Sequence, residues 1–323
     1  MTRARWLVNR VAFAVVAAYA VVTVAFLFVA LVADPNLSVI RHNMARSGAS
    51  AAQIEAAMEA YRASRNLDQS LLSRWVNWMV NVTLLDWGRS FQSGTPVTAL
   101  LATHLRYTLA YVVPGTLLSL VGVGVGMHAA SRAGSAVDRF ESVVSYIALG
   151  VPNFFLAKLV VVYVILATPS FDTSYAVQGA WDVTHYGQFL PPALVLATGL
   201  YAGLMRYTRA QSMEYLGATF VKVLKAKGAS RLRVARHVLR NGAIPILSLF
   251  TTELVAIVVL NVFVIEYVFN IPGLGTLTYG AVMDRDMPVI IGTTLVVVFV
   301  GIGGNLLQDA AYYALDPRIG DGE

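Results

Sequence analysis

The chain has 323 residues, 57% of them hydrophobic and only 13% charged, with 24 Lys and Arg against 18 Asp and Glu. Soluble domains average about 25% charged residues, so this composition, with a mean hydropathy of +0.64, is that of a chain that buries apolar surface in lipid. The absence of cysteine excludes disulfides, iron–sulfur clusters and thiolate metal sites.

In chain order, the first apolar run covers 11–33 and follows Arg3, Arg5 and Arg10. The apolar core of a signal peptide is about 7–15 residues, so this longer run reads as a retained transmembrane helix. Residues 34–103 are too polar to span. Within them "SAAQIEAAMEAYRAS" (50–64) predicts a soluble helix. Ser50 and Gln53 have the spacing of a capping box, and Ile54, Met58 and Tyr61 form one stripe. The next stretch, 71–85, is amphipathic, with Leu71, Trp75, Trp78 and Val82 on one side. Trp at that spacing suits a membrane interface. The segment either packs over the outer ends of the spans or forms a shelf that meets a binding protein or closes the outer mouth.

A spanning helix needs about 20 mostly apolar residues. Besides the N-terminal segment, 8–33, the stretches 105–129, 143–167, 189–208, 242–265 and 287–313 qualify. Gly122, Gly124 and Gly126 in the second have the spacing of close membrane-helix packing. Between the fourth and fifth lies "FVKVLKAKGASRLRVARHVLRN" (220–241), which holds seven basic residues and no acid. Its composition predicts two short helices with a tight turn. The first ends at Gly228; the second starts at a capping Ser230 and ends at Gly242. Phe220, Val223 and Leu224 form one apolar face, and Leu232, Val234 and Val238 the other. Such a hairpin reads as a docking element, or as a basic face held near anionic lipid head groups.

With the N-terminus inside, segments 1–10, 129–141, 206–241 and 316–323 are cytoplasmic and carry 3, 2, 9 and 1 basic residues. The outer loops 168–188 and 266–287 carry none and one. The positive-inside rule therefore predicts an N-in, C-in chain of six spans. The expected divisions are 1–33 (tail and first span), 34–103 (extracellular helical segment), 104–315 (core, with a coupling loop at 209–241) and 316–323 (cytoplasmic tail). Two ionisable residues fall inside spans, Lys158 and Glu253. Such residues usually face protein or water, so they either line a solute pathway, pair with each other, or meet a second subunit. The five His residues are scattered without ligand spacing, and neither a metal site nor a catalytic group is expected.

Several strings resemble one family. "AKG" (226–228) followed by "RHVLRNGAIP" (236–245) resembles the conserved cytoplasmic loop of ABC importer permeases. "EYVFNIPGLGTL" (266–277), the terminal "LDPRIG" (315–320), "NLDQSLLSRWVNWM" with "LDWGRSF" (66–79, 85–91), "VPNFF" (151–155) and "LPPALVLA" (190–197) fall in matching order. Together they resemble the B-type permease subunit of dipeptide, oligopeptide and nickel ABC importers. The resemblance implies an all-α integral membrane protein with the type I importer permease fold and a helical extracellular insertion between spans one and two. It implies a non-catalytic subunit of a prokaryotic cell membrane, paired with a homologous second permease. Two ATPase subunits and an extracellular substrate-binding protein would complete the assembly, with ATP and Mg held by the ATPases and no cofactor or nucleic acid bound by this chain. The chain has no G-x-x-x-x-G-K-[ST] phosphate loop of its own.

By the same resemblance, Ala226, Lys227 and Gly228 belong to the helix and turn that an ATPase grips, and the neighbouring basic Lys222, Lys225 and Arg231 are expected to pair with acids on its surface. Asn153, Phe154, Lys158, Glu253 and Asn261 are assigned to the translocation pathway. Trp75, Trp78, Asp86, Arg89, Pro272 and Gly273 are assigned to binding-protein contact or an outer gate. The rival expectation is a self-sufficient secondary transporter or channel that uses Lys158 and Glu253 as a coupling pair. The solute itself is not written in the chain.

Overall fold

The computed structural model describes residues 3–31, 35–64, 66–168, 175, 183–256 and 260–315. The terminal "DPRIG" string lies outside them. Among the described residues the regular structure is helical, and an isolated bridge pairs Arg89 with Pro96. The helices are α1 (Arg3–Leu31), α2 (Pro35–Arg46), α3 (Ala51–Ser64), α4 (Leu71–Thr83), α5 (Val97–Ser119), α6 (Val121–Ser131), α7 (Ala136–Gly150) and α8 (Asn153–Ala167). They continue with α9 (Val183–Gln188), α10 (Leu190–Gly217), α11 (Thr219–Ala226), α12 (Arg231–Ala256), α13 (Val262–Phe269), α14 (Leu274–Met283) and α15 (Met287–Leu315). The chain divides into two compact units, Phe13–Gly88 and Met1–Ala12 with Arg89–Glu323.

In the smaller unit the capping box forms as the sequence predicts. Ser50 N–H donates to Gln53 Oε1 at 2.8 Å, and Gln53 N–H donates to Ser50 Oγ at 3.3 Å. Met58 on the predicted stripe of α3 is buried. The Trp stripe of α4 turns to α1: Trp75 Nε1 donates to Thr23 Oγ1 at 3.3 Å, and the Trp78 ring lies 6.0 Å from that of Phe26. A 2.7 Å hydrogen bond between Tyr19 OH and Thr83 Oγ1 fastens the same two helices. These contacts pack Trp75 and Trp78 of the stripe against α1. Helix α2 was not expected; its residues carry no clear apolar period.

In the larger unit α10 is the central post. Its buried Ala193, Val195, Leu196 and Leu200 join Tyr107 and Tyr111 of α5, Ala157 of α8, and Val262, Ile265 and Phe269 of α13 in one core. Aromatic rings close one end of it, with Tyr175 5.3 Å from Phe189 and 6.4 Å from Phe269.

Two of the three predicted packing glycines serve this post. A Cβ on Gly122 would stand 2.6 Å from Tyr201 O, and one on Gly126 would collide with Met205 O and lie 3.0 Å from Arg209 N. Gly124 meets nothing within 4 Å. Residues four apart share a helix face and residues two apart do not, so the working pair is Gly122 and Gly126. Gly126→Ala is expected to cost about 1–3 kcal/mol by overpacking, whereas Gly124→Ala is expected to be neutral or slightly stabilising. Thermal unfolding of the two variants in detergent checks this.

The structure corrects three expectations. The third span, expected as one run over 143–167, is broken: α7 and α8 meet at 94°. Pro152 disfavours helix at the residue before it, and Val151 is extended, with φ −87° and ψ 115°. The second helix of the basic hairpin does not stop at Gly242 but runs on as α12 through Pro245 to Ala256. Gly242 lies against the Tyr215 ring, where a Cβ would stand 3.4 Å away, so packing overrides its tendency to end a helix. The loop expected over 266–287 contains the apolar helix α14. By length and composition, three described helices suit a membrane span (Val8–Phe28, Val97–Ser131 and Met287–Leu315), or four if the bent pair counts as one.

Candidate functional site

The basic hairpin is folded, not floppy. Helix α11 closes with two reciprocal bonds, Gly228 N–H to Lys225 O at 3.0 Å and Ala229 N–H to Leu224 O at 3.0 Å. That is a Schellman motif, and it needs Gly228 at φ +75°, a conformation cheap only for glycine. Ser230 Oγ then accepts from Arg233 N–H at 3.4 Å, and α12 begins. Beneath the turn, Val221, Val234 and Val238 are buried with Met127 of α6, and Phe220 and Leu224 pack on them.

The apolar faces hold as predicted at Phe220, Leu224, Val234 and Val238 and differ at three positions. Val221 faces in, while Val223 is 46% and Leu232 is 81% exposed. Lys222, Lys225, Ala226, Lys227, Gly228 and Arg231 are all exposed beside them. The hairpin thus presents two exposed aliphatic side chains and a set of exposed cations.

Behind it, α10 is tied to α7 by a two-point ion pair. Arg209 Nε and Nη2 donate to Asp138 Oδ1 and Oδ2 at 2.6 and 2.9 Å. Gly134 N–H adds a third donor to Asp138 at 2.9 Å. Fork-to-carboxylate pairing is both strong and directional. These two residues were missed by the sequence reading, because Arg209 sits in a run where every basic residue already had an explanation.

The residues expected on the pathway are only partly brought together. Asn153, the first residue of α8, donates from Nδ2 to Asn261 Oδ1 at 3.1 Å. Asn153 stands at the α7–α8 bend and Asn261 just before α13, and Gly199 of α10 leaves room for the Asn153 amide, 3.4 Å from where its Cβ would be. Phe154 is 57% exposed and Lys158 is exposed. Glu253 is half-buried. Among the described ion pairs, none joins Lys158 to Glu253.

The residues expected at an outer gate are drawn from both units. Trp75, Trp78 and Asp86 belong to the smaller unit; Arg89, Pro272 and Gly273 belong to the larger. Arg89 donates to Gly94 O at 2.9 Å, and Asp86 accepts from Gly88 N–H at 3.4 Å. Gly273 lies at the centre of a knot around Glu266, a residue the sequence reading quoted within a string without assigning it a task. Glu266 of α13 is fully buried. Its Oε1 accepts from Thr108 Oγ1 at 2.6 Å and Tyr111 OH at 3.2 Å. Its Oε2 accepts from Gly275 N–H at 2.6 Å and Thr276 N–H at 3.1 Å. The carboxyl group so caps the start of α14 and clips it to α5, with Leu274 N–H reaching Thr108 Oγ1 at 2.9 Å. A Cβ on Gly273 would collide with that carboxyl group, and one on Gly275 would stand 2.7 Å from Phe263 Cα. The signal available in the sequence was a lone acid in the otherwise apolar "VFVIEYVF", followed by two close glycines.

Residues 122–321 match the family described as the binding-protein-dependent transport system inner membrane component. The chain is also 32% identical over 76% of its length to the oligopeptide transport system permease protein AppB of Bacillus subtilis, 79% of which is covered. It is 34% identical over 83% of its length to a putative peptide permease of Brucella suis, 86% of which is covered. A probable peptide ABC transporter permease of Sinorhizobium fredii is 31% identical over 80% of this chain and 83% of its own. An all-helical chain with long apolar helices and a match over most of its length belongs to the binding-protein-dependent transport system inner membrane components, the non-catalytic multi-pass membrane subunits of ABC importers.

Proposed function

We propose that this chain is one permease half of an ATP-driven importer for peptides, and that the α11–α12 hairpin is the handle by which an ATPase subunit moves it. The observation that carries this reading is the hairpin itself. It is rigidly capped and packed from below, yet it presents Val223 and Leu232 among exposed cations. Bare aliphatic side chains with a charged rim are the anatomy of a docking surface, and lipid attraction would need only the charge. The relatives named above for peptides and oligopeptides support the solute class.

In this reading the hairpin is cytoplasmic, the chain spans the membrane six times with both termini inside, and α7–α8 form one kinked span. A homologous permease completes the pathway, and an extracellular binding protein delivers the solute. ATP and Mg are held by the two ATPase subunits. The Asp138–Arg209 pair passes motion from the hairpin through α10 to α7. Phe154 and Lys158, both exposed on α8, face the second permease or the pathway between the two, and Glu253 lines that pathway.

Vesicles test the reading directly. Peptide uptake is expected only when the two permeases, the ATPases, the binding protein and ATP are all present. Uptake by this chain alone, without any ATPase, would establish the rival secondary transporter instead.

A further inference from the structure

Between α5, α14 and the start of α15 lies a cavity of about 520 Å³ whose lining includes His104, Asp284 and Asp286. Asp286 is 3% exposed. Its Oδ2 accepts from Ser90 Oγ at 2.5 Å and from Gln92 N–H at 3.3 Å, but its Oδ1 is buried without a partner. His104 lies at the same cavity with its Nδ1 buried, against the backbone of Pro272 and Gly273. A buried carboxylate oxygen left without a donor is costly, and the open Oδ1 of Asp286 on this cavity calls for an occupant that donates.

The lining restricts what that occupant is. It holds two carboxylates and no Lys or Arg, so the occupant is a cation. Among the described residues no three metal-binding side chains cluster, which leaves an organic cation over a divalent metal. Leu100, Leu277 and Val289 supply an apolar wall, and the volume exceeds what an ammonium group alone fills. An ammonium group carrying a small side chain satisfies every one of these features.

We infer that this cavity receives the free N-terminal ammonium group of a peptide, held by Asp286 with His104 and Asp284 around it. The inference rests on the peptide-importer reading and places a recognition step within the permease itself, at the outer end of the pathway. A charge-assisted hydrogen bond to a buried carboxylate is among the strong ones, so blocking the amine has a measurable effect.

The experiment compares tri-alanine with N-acetyl-tri-alanine by saturation-transfer NMR on the assembled permease–ATPase complex in nanodiscs, with the binding protein omitted. The free amine is expected to bind about tenfold more tightly or better, and Asp286→Asn, which keeps the acceptor for Ser90, is expected to erase that ratio. Should Asp286→Asn fail to assemble, Asp284→Asn at an exposed position is expected to lower the ratio about threefold. Equal binding of the two peptides by the wild type overturns the inference. So does a variant that leaves the ratio intact or weakens both peptides alike. ATP-driven uptake of tri-alanine by the complete wild-type importer separates the two levels: uptake without amine preference removes only this subsite, and no uptake removes the peptide reading beneath it.

Discussion

Replacing Gly228 with proline is expected to cut ATP-driven uptake at least tenfold while the ATPase subunits continue to hydrolyse ATP. Two effects combine. Gly228 sits at φ +75°, and proline is locked near −65°, so the turn cannot close as it is. Proline also removes the N–H that reaches Lys225 O at 3.0 Å. The α11 end then unwinds, and Val223 and Leu232 lose their fixed relation. The buried layer beneath, Val221 with Val234 and Val238, is made by side chains on either side of the turn and survives in part, so assembly is expected to persist. Alanine is the informative control. At positive φ it is strained by about 1–2 kcal/mol, but it keeps the N–H, and nothing lies within 4 Å of the position its Cβ would take. Gly228→Ala is therefore expected to lower uptake only modestly. Measuring uptake and hydrolysis in the same vesicles checks both, and full uptake by the proline variant would remove the hairpin from the mechanism.

The second large effect belongs to Glu266. Truncation to alanine leaves the Thr108 and Tyr111 hydroxyls and the Gly275 and Thr276 amides facing a hole in a dry interior. Each unsatisfied buried donor costs about 1–3 kcal/mol, and partial re-pairing lowers the sum, so a loss on the order of 3 kcal/mol or more is expected. For a chain of this size that is roughly a 4–5 °C fall in thermal unfolding temperature. Glu266→Gln is expected to fall between wild type and alanine. Its amide would present a donor to donors, since all four partners donate. Gly273→Ala offers a third measurement. Its Cβ would occupy the place of the carboxyl group, so it is expected to destabilise as Glu266→Ala does, although no polar group has been removed. An unfolding temperature unchanged in all three would show that the knot carries no stability.

The parts of the fold that were legible in the sequence are those set by short-range rules. The capping box at Ser50, the Ser230 cap and the turn at Gly228 each depend on two or three neighbouring residues, and each formed as expected. The apolar runs also appeared as helices, because length and hydropathy are local sums. Register on a helix was harder. Residues 220–224 admit two inward faces, and the buried Val221 was chosen by Met127 and Val238, far away in sequence. Gly242 read as the end of a short helix, yet α12 continues because Tyr215 packs on its face and the rest of the helix holds.

The candidate residues divide in the same way. Asn153 and Asn261 were singled out separately, and their contact depends on a bend and a helix end that no local pattern announces. Glu266 was quoted within a string while its task stayed hidden, because its four partners come from α5 and α14. The Asp138–Arg209 tie and the Asp286 carboxylate were invisible for the same reason. Ordinary-looking polar residues gain a role only when distant segments converge on them.

The asparagine contact between α8 and the approach to α13 has a thermal consequence. Hydrogen bonds between membrane helices average about 0.6 kcal/mol, close to the energy of a single thermal kick. A clasp that weak would stand open roughly a quarter of the time without any fuel. What keeps α8 beside α13 is therefore the buried packing of Ala157 with Val262, Ile265 and Phe269 rather than this bond.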